Sequence, residues 1–449
     1  MLLIFNSLKI GSGYMNKCID KFNQKIIKLL PIIILTFIIF QPILDLITSL
    51  EVNIIHTNFS IGSVIRFLFM MFSSYYILFI SDNKKYKILT IITYIYLISF
   101  AFMVILLKDF NVILFEGRNA LNTFYLPIVL ISLYLMHKNN HLSINMNYII
   151  ITYLIYILFI MVPNLFNLGY KSYSEAKVGS TGWFFSANAI GNILCMLLPF
   201  IFYYLIKFKI NIIVKIITFI SICYVFASMG TKVPILGFGI CFLVNFIYFF
   251  IKWIKDKKYI LVSSSIGVMI IGIIGVIILL PKTSFYKNIQ IHKEYLGFNH
   301  YYEVFTKPKL TDHFIFSQRL TFLKNSHHNF IKTKPVEKLL GMGYIENYAT
   351  DDLSTKTIEM DYFEVFYRHG FIGCIIFYII MIPLFITCIK TKNNKSLLKT
   401  EFITSFILML LLGLFSGHIF IMPSVSIYVA IILIIYLSKD NFNRTKINE

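Results

Sequence analysis

The amino-acid sequence predicts an all-α polytopic membrane protein with about twelve transmembrane helices. Of its 449 residues, 58% are hydrophobic and only 14% are charged, and the mean hydropathy is +0.76. Apolar runs long enough to cross a bilayer as helices, about 20 residues each, recur along the chain. Soluble domains contain about one-quarter charged residues. Because of this hydropathy, the formal net charge of +20 does not predict a nucleic-acid partner.

Hydropathy alone divides the chain into spans and connections. The fourth apolar run is short enough to be re-entrant, which would leave eleven full crossings. The predicted spans lie near residues 28–49, 61–80, 86–107, 119–136, 147–168, 183–206, 210–229, 231–251, 259–280, 361–389, 398–416 and 419–438.

Basic residues in the short connections predict the orientation of the bundle. One set of connections, which includes both chain ends, contains 23 Lys and Arg residues, whereas the opposite short connections contain five. Lys and Arg accumulate on the cytoplasmic side of membrane proteins. Both termini are therefore expected in the cytoplasm of a multi-pass plasma-membrane protein, with membrane lipids around the bundle.

One connection is too long to be a simple linker. Residues 1–280 are predicted to form a bundle of about nine spans, residues 281–360 a large extracytoplasmic loop, and residues 361–449 about three spans and a cytoplasmic tail. The loop contains eleven Lys and Arg, eight Asp and Glu, and thirteen aromatic residues. This mixture suits sugar recognition, but it also suits a solvated loop anchored by interfacial aromatics.

Two ionisable residues lie near the outer ends of the first two spans. Charged groups at membrane depth are costly unless they are paired or solvated, so they are candidates for function. Asp45 and Arg66 are predicted at similar depth, where they can pair. This leaves two interpretations: a helix–helix salt bridge, or an anion-binding Arg66 that is oriented by Asp45.

Further candidates lie in the short outer connections. Arg118 opens the fourth span and is either an interfacial anchor or a bidentate partner for a diphosphate. Lys177, which precedes the sixth span, is a second candidate ligand for a diphosphate. Asn188 and Asn192 share one face of the sixth span, and inter-helix hydrogen bonds are expected there.

The last third of the long loop is the richest in candidate residues. Ser317-Gln318-Arg319 begins a predicted amphipathic helix that continues through Asn329, and two glycines in Leu340-Gly341-Met342-Gly343-Tyr344 predict a tight turn. Glu359 and Asp361 then bring two carboxylates to the outer membrane boundary.

The tenth span begins with three more ionisable residues. Glu364 and Arg368 have the spacing and order of a helix salt bridge, and His369 follows directly. A metal site at His327-His328-Asn329 is disfavoured because no third ligand occurs at a regular spacing. Neither a metal nor a cofactor is expected.

The order of these features resembles the O-antigen ligase/O-antigen polymerase family of envelope-glycan enzymes. The resemblance covers about residues 40–430. It depends on an Arg ahead of one outer span, a Gly-Trp-Phe-Phe entry to another, and a large outer loop. Its motifs are Gly182-Trp183-Phe184-Phe185, Ser317-Gln318-Arg319, Leu340-Gly341-Met342-Gly343-Tyr344, Glu359-Met360-Asp361-Tyr362 and Gly370-Phe371-Ile372-Gly373.

The resemblance implies an inverting, metal-independent glycosyl transfer at the outer membrane face, from an undecaprenyl-diphosphate-linked oligosaccharide. A flippase and a chain-length regulator are implied as partners. Ligase members carry a functional histidine where this chain has Glu359-Met360-Asp361, so the departure favours a repeat-unit polymerase. A ligase that transfers finished glycan to another acceptor stays open.

The implied chemistry assigns roles to the candidate residues. Breaking the sugar–diphosphate bond develops negative charge that arginine forks can stabilise. Arg319 is predicted to be the first such fork, assisted by Arg118 and Arg66. Glu359 or Asp361 is predicted to take the proton of the acceptor hydroxyl.

A lipid-linked oligosaccharide flippase is the main alternative of another class. Transporters place paired charges near the bilayer midplane on broken helices. The candidate charges in this chain are instead predicted to cluster at the outer boundary.

Overall fold

The computed structural model describes residues 2–55, 60–108, 110–173, 177–345, 357–390 and 396–438. Within these ranges the regular secondary structure is helical, and no β-strand is formed. The prediction of an all-α polytopic fold is therefore confirmed. Eleven of the described helical segments are long and apolar enough to cross a membrane.

Twelve apolar helices correspond to the predicted spans. Two of them, α1 and α2, end in π-helical turns at Glu51–Ile55 and Tyr76–Ile80. The twelve are α1 (Leu2–Leu50), α2 (Ile61–Tyr75), α3 (Lys84–Leu107), α4 (Ile113–Lys138), α5 (Met146–Leu165), α6 (Ala187–Lys207), α7 (Ile212–Met229), α8 (Lys232–Lys255), α9 (Tyr259–Leu279), α15 (Asp361–Lys390), α16 (Ser396–Phe415) and α17 (Pro423–Leu437).

The short apolar helix is the last one and not the fourth. The segment Phe110–Lys138, which contains α4, has 29 residues and can cross a membrane. Helix α17 has only 15 residues, about 22 Å at the rise of an α-helix. It begins at Pro423, which suits a first helical turn because proline lacks an N–H.

Polar residues fix where several helices begin. Five helices are preceded by a side chain that accepts a hydrogen bond from a backbone N–H in their first turn. These residues are Ser60, Asn83, Asn145, Ser186 and Asn211. Such caps satisfy donors that have no partner within the helix. They place the helix ends in the connections, as the hydropathy pattern predicts.

The centre of the bundle is formed by α4, α6 and α17, which pack against several neighbours. Nearly every residue of α17 is buried. By contrast, the described side chains of α9 are all partly or fully exposed, and α9 packs mainly against α8. A helix that is apolar all round and exposed in this way suits contact with lipid.

The long connection between α9 and α15 contains five short α-helices in its described part. They are α10 (Ser284–Leu296), α11 (Glu303–Thr306), α12 (Pro308–Phe314), α13 (Arg319–Lys332) and α14 (Pro335–Leu340). The predicted helix from Ser317 through Asn329 is thus found as α13. We call the end of the bundle that contacts these helices the loop-bearing end.

Candidate active site

The start of α13 is fixed by a single carboxylate. Asp312 accepts hydrogen bonds from the backbone N–H groups of Leu320 and Thr321, both at 3.0 Å, and from the Thr321 hydroxyl at 2.6 Å. Ser317 and Gln318 adopt φ angles of 53° and 68°, which are uncommon for residues with a side chain. This turn and cap place Arg319 at the first position of α13.

Arg319 and Glu359, two of the predicted catalytic residues, form an ion pair. Arg319 Nη2 lies 2.6 Å from Glu359 Oε2, and the side chains are 11% and 29% exposed. The same nitrogen lies 3.4 Å from the carbonyl oxygen of Ser416. The Nε of Arg319 is buried and has no acceptor among the described residues. The guanidinium therefore keeps donor capacity for a further ligand.

Asp361 holds a backbone turn. Its carboxylate accepts hydrogen bonds from the backbone N–H groups of His418 at 2.7 Å, Ile419 at 2.8 Å and Phe420 at 2.7 Å. Gly417 and His418 both have positive φ angles, and the N–H groups that follow Gly417 find their acceptor in Asp361. Because three donors occupy the carboxylate, the geometry suits Asp361 as a positioning group more than as a base.

Asn192 of α6 lies beside this turn. Asn192 Nδ2 donates to the carbonyl oxygen of Gly417 at 2.8 Å, and the Ser416 hydroxyl donates to Asn192 Oδ1 at 3.2 Å. The hydrogen bonds predicted for this face are thus made by Asn192, but to the turn between α16 and α17 and not to another helix. Asn188 is half-buried and lies one turn closer to the start of α6, on the same face.

Two lysines extend the positive charge around Arg319. Lys232 Nζ donates to the carbonyl oxygen of Phe314 and lies 5.2 Å from the centroid of the Phe314 ring. Both Lys177 and Arg319 are close enough to Lys232 to repel its ammonium group. We call Lys177, Lys232 and Arg319 the cationic cluster.

Asn288 of α10 brings the two lysines of the cationic cluster together. Its Oδ1 accepts the backbone N–H of Val178 at 2.7 Å, and its Nδ2 donates to the carbonyl oxygens of Val178 at 2.6 Å and Gly230 at 2.9 Å. Val178, directly after Lys177, and Gly230, two residues before Lys232, are thereby fixed to the same side chain. The sequence predicted Lys177 but missed Lys232, which was only one of five basic residues in the short outer connections.

The charge of the cationic cluster perturbs its neighbours. The pKa of His292 is lowered to about 4, first by burial and then by Lys177, Lys232 and His313. The imidazole stacks on the Phe314 ring with centroids 5.4 Å apart. At neutral pH His292 is therefore an uncharged packing group. Burial raises the pKa of Tyr173, although nearby Arg319 opposes this shift.

We expect the packing of α10 and α12 to weaken as the pH falls. Protonation of His292 is resisted in the folded state, whose pKa is about 4, but it is favourable in the unfolded chain from about pH 6.5. The folded state therefore loses stability between those two values. Measured against the intrinsic exchange rate at each pH, the protection of the backbone amides of residues 284–314 should fall from pH 7 to pH 4.5 in the wild type. The His292→Phe variant should show a smaller loss of protection, and equal losses would contradict the assignment.

Arg66 and Arg118 line a cavity at the loop-bearing end that does not include Arg319. Arg66 Nη2 lies 2.6 Å from Asp45 Oδ1, so the predicted pair is confirmed. Tyr156 donates to the other Asp45 oxygen at 2.6 Å. Arg118 Nη2 lies 3.4 Å from the hydroxyl of Ser63. Asp45, Arg66 and Arg118 share a cavity of about 170 Å³ between α1, α2, α4 and α17.

A buried Lys–Glu pair holds the turn at Gly341-Met342-Gly343, which we call the glycine turn. The sequence did not predict this pair. Lys108 Nζ lies 2.7 Å from Glu116 Oε1 and 2.6 Å from the carbonyl oxygen of Met342, and both charged side chains are fully buried. Glu116 in turn accepts the backbone N–H groups of Tyr344 and Ile345. Gly343 has a φ angle of 73°, which favours glycine.

Two supporting candidates, Arg368 and His369, lie in the first turns of α15. Arg368 Nε lies 3.2 Å from Glu364 Oε1, which confirms the predicted salt bridge, and Arg368 Nη1 donates to the carbonyl oxygen of Gly343 at 3.1 Å. His369 is fully buried, with its ring nitrogens 3.1 Å from the hydroxyls of Tyr96 and Tyr344. These contacts attach the long connection to the bundle.

The fold and these contacts define a multi-pass helical membrane protein that collects an arginine–carboxylate pair and two lysines at one end of its bundle. The chain belongs to the family described as O-antigen ligase like membrane protein, whose family model matches residues 28–297 and 299–440. The match covers both parts of the bundle and the long connection. No curated protein matches the chain. Membership implies a glycan-transferring enzyme of ligase or polymerase type that acts on a lipid-linked oligosaccharide.

Proposed function

We propose that this protein polymerises undecaprenyl-diphosphate-linked oligosaccharide repeat units into a cell-surface polysaccharide at the outer face of the plasma membrane. The observation that carries the proposal is the position of Arg319, which lies 2.6 Å from Glu359 and close enough to Lys232 to repel its ammonium group. A departing diphosphate gains negative charge. A fixed guanidinium and two ammonium groups are suited to stabilise that charge without a metal ion.

In the proposed reaction, the acceptor hydroxyl attacks the anomeric carbon of the donor sugar and inverts it. Glu359 takes the hydroxyl proton as the new C–O bond forms, and the bond to the diphosphate breaks with its electron pair on the leaving oxygen. Glu359 suits this role better than Asp361 because its side chain is 29% exposed. Arg319 stabilises the departing diphosphate, and Lys177 and Lys232 bind it in the ground state.

Two observations favour a polymerase over a ligase. The cationic cluster and the cavity of Arg66 and Arg118 lie at the same end of the bundle but have different linings. This suits a reaction in which donor and acceptor each carry a diphosphate. In addition, residues 359–361 lack the histidine that the resemblance implies for a ligase. A flippase that supplies the repeat units and a chain-length regulator are the proposed partners.

The proposed orientation places the loop-bearing end outside the cell and both termini in the cytoplasm. It is supported by the 23 basic residues in one set of short connections against five in the other.

A reconstituted assay tests the function. Purified protein in vesicles is incubated with a lipid-diphosphate repeat unit, and we expect a ladder of lengthening glycans with release of undecaprenyl diphosphate. The Lys84→Met variant, which changes a basic residue at the opposite end of the bundle, should form the same ladder. Transfer to an added acceptor without a ladder would indicate a ligase. Movement of the lipid across the vesicle without elongation would indicate a flippase, and either result would overturn the proposal.

A further inference from the structure

A chain of aromatic contacts leads away from the cationic cluster. The Phe314 ring, 5.2 Å from the Lys232 ammonium, is surrounded by His292, Phe298 and Tyr301. Phe298 is buried and forms the base of this group. The centroids of Phe314 and Tyr301 are 6.2 Å apart, and Tyr301 is 44% exposed. The contacts therefore connect Lys232 to an exposed ring in two steps.

The exposed end of this series of contacts offers aromatic faces and also hydrogen-bonding groups. Tyr302 is 66% exposed and stacks on His300 with centroids 5.6 Å apart and an interplanar angle of 15°. The Tyr301 hydroxyl accepts a hydrogen bond from Gln290 at 3.2 Å. A sugar offers C–H groups to an aromatic face and hydroxyls to polar neighbours. Tyrosines combine an apolar ring with a polar group in the same way.

We propose that Tyr301 and Tyr302, supported by His300, bind the glycan portion of the lipid-linked oligosaccharide whose diphosphate occupies the cationic cluster. This inference rests on the proposed function and deepens it. The site is continuous with the cationic cluster, because Phe314 lies 5.2 Å from the Lys232 ammonium and 6.2 Å from the Tyr301 ring. The Tyr301 ring is therefore within reach of sugars attached to a diphosphate at Lys232.

The charges around the rings oppose insertion of this surface into a lipid bilayer. Glu303 accepts hydrogen bonds from the Lys307 ammonium and from the backbone N–H groups of Asn299 and His300. The contact with Lys307, followed by the bond from His300, lowers the pKa of Glu303 to about 2. The ion pair of Glu303 and Lys307, directly after Tyr302, would lose its hydration in hydrocarbon, which is costly even for paired charges. The surface therefore suits a hydrated glycan better than lipid tails.

The test compares the wild type with a Tyr301→Ala/Tyr302→Ala double variant, both full-length in vesicles. The donor is the lipid-linked oligosaccharide extracted from cells that make the polysaccharide. We expect the variant to raise KM by about tenfold, because two stacking contacts are lost, with little change in kcat. With a lipid diphosphate that carries a single sugar, the KM values of both proteins should agree.

Two further variants control for folding and for the chemistry of the rings. Tyr295→Ala removes a ring that is 81% exposed and lies outside the chain of contacts, so its KM for both donors should match the wild type. Tyr302→Phe keeps the stacking face and should keep most of the affinity for the oligosaccharide.

Distinct results would overturn this site and the proposed function. If the wild type elongates glycan but the double variant has an unchanged KM for the oligosaccharide, the glycan site is refuted while the function stands. If the wild type elongates neither donor, the function falls and the glycan site with it. Quenching of a Tyr302→Trp variant by brominated lipids, beyond that of the native Trp183 and Trp253, would assign the surface to lipid instead.

Discussion

Replacing Arg319 with alanine is expected to lower the rate of glycan elongation by about 10²- to 10³-fold, the usual cost of removing a donor that stabilises transition-state charge. Arg319 is fixed by the Asp312 cap and by its contact with Glu359, so no other described guanidinium can take its place without movement of the backbone. The initial rate of elongation in vesicles, at saturating donor, measures the effect.

Conservative variants separate charge from geometry at the same position. Arg319→Lys keeps one positive charge but loses the fork that can hold two oxygens, so only a small part of the rate should return. The Lys84→Met variant, altered at the opposite end of the bundle, should keep the wild-type rate. Normal elongation by a folded Arg319→Ala protein would remove Arg319 from the mechanism.

The same assay distinguishes the two carboxylates. Glu359→Gln can still accept a hydrogen bond from Arg319 but cannot take a proton, so we expect a loss of rate without a loss of stability. Asp361→Asn would turn an amide toward backbone N–H groups that need acceptors, and its cost should appear first as a lower melting temperature. The reverse pattern would make Asp361 the base.

Hydropathy and spacing predicted the elements that are determined by interactions within one segment of the sequence. Each apolar helix must satisfy its own backbone within the membrane, so its existence and approximate ends follow from the residues in one segment. The Glu364–Arg368 pair follows from helical spacing in the same way, and Asp45 and Arg66 could be paired because both lie near the same boundary. These interactions require no knowledge of which helices are neighbours.

The arrangement of the candidate site depends on contacts between distant segments. Lys177 and Lys232 meet because Asn288 binds backbone groups of Val178 and Gly230, and no local pattern marks that asparagine. Hydropathy likewise could not show that Arg66 and Arg118 share a cavity apart from Arg319. Asp361 had the residue type of a base, but its three backbone donors come from the turn before α17, which the sequence does not place beside it.

The buried pair of Lys108 and Glu116 is expected to be among the most sensitive points in the fold. Burial lowers the pKa of Lys108, while Glu116 opposes that shift and stabilises the ammonium. In a Glu116→Ala variant the lysine loses its counter-charge, and two backbone N–H groups of the glycine turn lose their acceptor. Removing one partner of a buried pair costs about 3–5 kcal/mol.

Thermal unfolding in detergent should therefore show a markedly lower melting temperature for Glu116→Ala, with increased proteolysis and hydrogen exchange at residues 340–345. A Lys108→Met/Glu116→Gln double variant should recover part of the loss, because it buries no lone charge and glutamine can still accept one backbone hydrogen bond. Lys307→Met breaks the exposed pair with Glu303 and should leave the melting temperature nearly unchanged. If Glu116→Ala melted like Lys307→Met, the buried pair would not hold the glycine turn. The attachment of the long connection would then depend mainly on Arg368 and His369.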